Sequence, residues 1–179
     1  MSFNLNKYRN PRYNTGLNPR YNSKINPKFN AEINPLYNSE INPMRNLIIN
    51  PLHNRAINPL NYSYLNPRVN AFANPFKNRQ INPNIIHRLN PASNRNFLGP
   101  LYFSVDNEYL GFGVMIPQVN GYAFFSTNRE ILFFATPNMK GGFNMYDPKM
   151  RWIGYWASNH YCGYNVFELT GKWLGMILI

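Results

Sequence analysis

One apolar residue recurs every eight positions along the first half of the chain: Leu17, Ile25, Ile33, Ile41, Ile49, Ile57, Leu65, Ala73, Ile81, Leu89 and Phe97. All but the last are followed by Asn-Pro, and the prolines stand at 11, 19, 27, 35, 43, 51, 59, 67, 75, 83 and 91 without a slip. With the Asn before proline as position 1, position 5 is again Asn in nine of eleven units, giving Asn-Pro-x-x-Asn-x-x-Ile. An unbroken period of this kind specifies a repetitive architecture. Proline presets φ for a tight turn, and the Asn before it is pushed toward extended backbone. Asn at position 5 tolerates the left-handed region that closes a turn. The apolar, β-branched position 8 suits an inward-facing extended piece. Each octad is therefore expected to be a turn of four or five residues followed by about three extended ones.

A helix is excluded, because each interior proline would cost about 3 kcal/mol. Two arrangements follow: a thin solenoid-like stack with two octads per coil, or an open ribbon ordered only against a partner. A buried Ile contributes roughly 1.5–3 kcal/mol, whereas ordering each backbone residue costs roughly 1–2 kcal/mol. One isoleucine per octad is too little alone, so stacking, docking or self-association must supply the remainder.

The pattern changes near residue 98. Four segments align: Tyr102-Phe103 with Tyr109-Leu110-Gly111-Phe112, Phe124-Phe125 with Ile131-Leu132-Phe133-Phe134, Met145-Tyr146 with Trp152-Ile153-Gly154-Tyr155, and Val166-Phe167 with Trp173-Leu174-Gly175-Met176. Their Leu/Ile members at 110, 132, 153 and 174 step by about twenty-one. Within each segment a polar turn separates two apolar runs, which is the pattern of a β-hairpin. Four hairpins give eight short strands, and closure would remove their exposed edges. The fourfold set of aromatic-then-Leu/Ile-Gly hairpins resembles the four-fold β-flower domain, with Phe133 in place of glycine in the second petal. The resemblance covers residues 98–179 and implies a compact β module for binding or assembly, with no transferable catalytic residues. The expected class is all-β: an octapeptide-repeat region at 1–97, solenoid-like stack or ribbon, followed by a pseudo-fourfold eight-stranded domain at 98–179.

Charge divides the chain at the same boundary. Residues 1–96 hold thirteen Lys/Arg and two acids, whereas residues 97–179 hold five of each sign, so the whole net charge of +11 belongs to the repeat. The single cysteine, Cys162, excludes an intrachain disulfide, and no cationic-then-apolar leader or long apolar run is present. A cytoplasmic protein without a transmembrane segment is expected, export by a route lacking a cleaved signal being left open.

Two sets of repeat residues stand out as contact candidates. Arg12-Tyr13, Arg20-Tyr21 and Lys28-Phe29 place a cation beside an aromatic ring at fixed spacing, as proteins that bind single-stranded nucleic acid or anionic surfaces do. Their plainer role is solubility. Leu36, Met44, Leu52 and Leu60 occupy position 3 of consecutive octads and would form one apolar strip, a contact surface for the C-terminal domain or a second copy. No His/Cys spacing suits a metal, and no motif calls for a cofactor. His160 and Cys162 are two apart, yet they sit in a loop with no third residue to orient them. The expected function is a non-enzymatic structural or interaction protein that binds a protein partner or itself. Nucleic-acid binding is the alternative, and an effector or toxin with a C-terminal activity is a third possibility.

Overall fold

The computed structural model describes residues 6–179. Its C-terminal part is a closed antiparallel barrel with strands in sequence order. The strands are β1 (Leu101–Ser104), β2 (Tyr109–Ile116), β3 (Gly121–Ser126), β4 (Ile131–Pro137), β5 (Phe143–Tyr146), β6 (Trp152–Ser158), β7 (Gly163–Glu168) and β8 (Trp173–Leu178). β1 closes on β8 through Leu101 opposite Leu178 and Ser104 opposite Gly175.

The fourfold repeat is visible in backbone detail. Each hairpin carries a register shift at the same place: Tyr102/Phe103, Phe124/Phe125, Met145/Tyr146 and Val166/Phe167. Each turn also holds one residue at positive φ: Asn107, Arg129, Met150 and Gly171. A type I turn followed by a left-handed residue and a bulge is the usual three-residue hairpin connection. Ser104 and Ser126 bind the backbone N–H groups across their turns, and Asp147 does the same in the third petal. Gly175 is required by close approach, since a Cβ there would lie 2.1 Å from the Phe103 carbonyl oxygen.

Both faces of the barrel are apolar. The lumen is filled by Tyr102, Phe124, Phe133, Met145, Trp156, Val166 and Ile177. Rings from strands three apart meet there: Phe124 and Trp156 are edge to face with centroids 5.1 Å apart. Leu101, Phe103, Phe112, Val114, Phe125, Phe134, Tyr146 and Met176 belong to a second cluster, which also contains Leu65, Ala73 and Ile81 of the repeat. The octads are thus packed on the outside of the barrel, and the two halves share a hydrophobic core.

The octad differs from the expected turn plus extended piece. Positions 2–4 form one turn and positions 6–8 a second, 3-10 turn, as in Ser23–Ile25 and Arg55–Ile57. The reason is that both asparagines act alike. The position-1 side chain accepts the N–H of position 3, as Asn26 does from Lys28 at 2.9 Å, and the position-5 side chain accepts that of position 7, as Asn30 does from Glu32 at 3.1 Å. These are Asx turns and N-caps, which need extended backbone at the asparagine. Asn30 accordingly has φ −128°, and no described octad residue adopts positive φ. Tyr62 and Ile86 replace Asn at position 5, and their 3-10 turns are the ones without a side-chain cap.

The same amides also join neighbouring octads. Asn30 Nδ2 donates to the Lys24 carbonyl and Asn26 Nδ2 to that of Pro19, six and seven residues back. The repeating unit of the coil is therefore one octad, rather than the expected two. Ile-Asn-Pro (positions 8, 1 and 2) faces the barrel, while positions 3, 4, 6 and 7 face solvent along most of its length.

The coil runs once round the barrel as a belt. Asn18 accepts a hydrogen bond from Asn107 in the β1–β2 turn, Ile25 meets β7, and Leu36 meets Gly171 in the β7–β8 turn. Ile41 packs on Tyr155 and Phe167, and Ile49 meets β5. Ala71–Ala73 touches the short turn Pro117–Val119, Arg79–Ile81 touches β2, and Phe97 stacks edge to face on Phe112. Asn165 and Asn144, at matching places on β7 and β5, donate to the Ile25 and Ile49 carbonyls, each at 3.1 Å. Tyr146 Oη donates similarly to Ile57. The ends meet where Arg9 donates to the carbonyls of Phe97 and Gly99, at 2.8 and 2.9 Å. Arg9 occupies position 8 of its own octad, where isoleucine would otherwise stand.

Replacing Ile49 with Ala is expected to destabilise the protein by about 2–5 kcal/mol, whereas Leu52→Ala should change it by less than about 0.5 kcal/mol. Arg9→Met should cost about 1.5–3 kcal/mol by opening the belt. Urea unfolding midpoints check all three.

Candidate interaction surface

The outward positions of the belt carry the residues singled out in the sequence. Position 4 of four consecutive octads presents Tyr13, Tyr21, Phe29 and Tyr37, each about three-quarters exposed at 75, 75, 75 and 76%. Because neighbouring octads are bonded through their asparagines, these rings form one row. The adjoining cations are differently placed. Arg20 makes an exposed ion pair with Asp106 at 2.7 Å and Arg12 a looser one with Glu108 at 3.7 Å, so both reach toward the β1–β2 turn. Lys28 forms none of the ion pairs among the described residues. Two of the three cations are therefore engaged by acids of the barrel, while the rings stand in solvent.

Leu36, Met44, Leu52 and Leu60 line up at position 3 and are 51, 55, 68 and 65% exposed. Leu47 and Ile48, at positions 6 and 7 of their octad, are exposed as well. The isoleucines pack against the barrel, because position 8 faces inward and position 3 outward, although Leu36 at the end of the strip also meets the β7–β8 turn at Gly171. Glu40, at position 7, pairs with Lys140 of the β4–β5 loop at 3.3 Å, at the opposite end of the barrel from the β7–β8 turn that Leu36 meets.

The loop between β6 and β7 offers little for nucleophilic chemistry. Burial pushes the Cys162 thiol up to about 11, the amide of Asn159 opposing this through a 3.7 Å contact to sulfur. His160 is exposed, and no hydrogen bond joins it to Cys162. Among the described residues no group of three or more His, Cys, Asp or Glu is placed to hold a metal ion. Nor is any described helix long and apolar enough to cross a membrane.

No family model, curated protein or solved structure matches the chain. The functional reading therefore rests on geometry.

Cys162 should react with iodoacetamide at pH 8 more than about a hundredfold slower than a free thiol, because so little thiolate is present. Mass-spectrometric timing of alkylation in the folded protein checks this. A rate near that of free cysteine would show that burial does not hold the thiol in its protonated form.

Proposed function

We propose that the protein is a non-enzymatic interaction module: a β-flower-type barrel serves as a rigid hub, and the octad belt displays the contact surface. The observation that carries this reading is the exposed row Leu36, Met44, Leu52 and Leu60 on a backbone fixed by repeated hydrogen bonds. Contiguous apolar surface of this kind marks contact sites on soluble proteins. A second copy is the occupant with most support. Between residues 34 and 62 the belt carries only Glu40, Arg45 and Arg55 as ionised groups, so two copies meeting there avoid the repulsion their basic first octads would cause. A twofold contact also needs only one self-complementary patch.

A second reading has its own observation in the exposed row Tyr13, Tyr21, Phe29 and Tyr37 beside Lys28. Rings at one repeat spacing next to cations suit stacking on single-stranded nucleic acid. Arg12 and Arg20 would exchange Glu108 and Asp106 for phosphates.

Sedimentation velocity over a range of concentrations distinguishes them. Wild type is expected to associate as concentration rises, and Leu52→Asp/Leu60→Asp is expected to stay monomeric with unchanged thermal stability. A monomer at every concentration contradicts self-association. For the second reading, a labelled oligothymidylate should bind at low salt, weaken steeply with added salt, and lose affinity in Tyr21→Ala/Phe29→Ala. Absence of binding at low salt removes it.

A further inference from the structure

The asparagine ladder is broken at Tyr62 and at Ile86, and a cleft lies at the second break. In nine octads the position-5 amide donates to the carbonyl six residues back, as Asn78 does to Phe72 and Asn94 to Arg88. Ile86 has no amide to offer Gln80, so the belt is not laced there. Between this octad and the barrel lies a half-open cleft of about 440 Å³. Six apolar residues line it, Ile81, Ile86, Leu89 and Val114 among them, with four polar ones that include the exposed Arg88 and Gln118. Ile81 and Val114 belong to the shared core, so that part of the lining is fixed by the packing of belt on barrel. A pocket of roughly 300–1,000 Å³ with an apolar lining and few polar groups is the ordinary form of a small-molecule site.

Charge selects the ligand class. Arg88 is the one ionised side chain among the lining residues, no acid faces the cleft, and Arg88 makes none of the ion pairs among the described residues. A guanidinium at the mouth of an apolar pocket matches a carboxylate, which it can bind through two parallel N–H donors. We infer that the cleft between octad 82–89 and strand β2 binds an amphiphile with an apolar tail and a carboxylate head, the tail lying on Ile81, Ile86, Leu89 and Val114 and the head pairing with Arg88. This site lies apart from the apolar strip and stands or falls independently of self-association.

The test uses the full chain with methyl-labelled Ile, Leu and Val, titrated with decanoate, decanol and decylammonium. Decanoate should shift the methyls of Ile81, Ile86, Leu89 and Val114, decanol should bind about tenfold or more weakly, and decylammonium should not saturate. Arg88→Gln, an exposed change that leaves the fold intact, should weaken decanoate about tenfold and leave decanol unaffected. Ile86→Asn should abolish decanoate binding and raise the unfolding midpoint by restoring the bond to Gln80. Equal affinity for the three head groups, shifts elsewhere or nowhere, or decanoate binding indifferent to Arg88→Gln would each overturn the assignment.

Discussion

The side-chain amide of asparagine, used twice in nine of the eleven octads, is the interaction on which the structure depends. Its oxygen closes a three-residue turn by accepting an N–H two residues ahead, and its nitrogen reaches back to a carbonyl of the preceding octad. One residue type thereby satisfies donors and acceptors that a sheet or helix would satisfy with backbone alone. The consequence is a coil with neither a long helix nor a strand, held at one edge by proline and isoleucine. Such a coil has too few buried side chains to stand alone. Wrapped on the barrel, it buries the apolar position-8 side chain and the proline of most octads and also covers the barrel's outer aromatic face.

That mutual dependence explains the composition of the barrel. Small barrels facing water on the outside alternate apolar and polar residues along each strand. Here Tyr122-Ala123-Phe124-Phe125 and Tyr155-Trp156-Ala157 run without alternation, because lumen and exterior are both buried. Two polar residues of the outer face, Asn144 and Asn165, are spent on carbonyls of the belt. The strands were legible as hairpins from the spacing of their apolar runs and turn residues. Their continuous apolarity signals that something must cover them, and the repeat needs a surface to dock on.

The repeat was legible in its period, its turns and its inward isoleucines. Its second turn was not, because a β-branched residue at position 8 favours extended backbone in isolation, whereas the position-5 asparagine caps a 3-10 turn and overrides that preference. The closure of the belt was also hidden. Its sign was Arg9 at a position otherwise reserved for isoleucine, a departure meaningful only once Phe97 and Gly99 are known to lie opposite. The outward residues were easier, since the period that places position 8 inside places position 3 outside. One departure from the consensus, Ile86, lies beside a cleft, and the exposed leucines fall at a position the consensus leaves free.

Amide hydrogen exchange monitored residue by residue tests the central claim most directly. If belt and barrel form one cooperative structure, the amides of Ile25, Ile57 and Ile81 exchange only through the global unfolding that also releases the amides of Phe124 and Trp156. Octad amides exchanging at the rate of an unfolded chain while the barrel stays protected would contradict it.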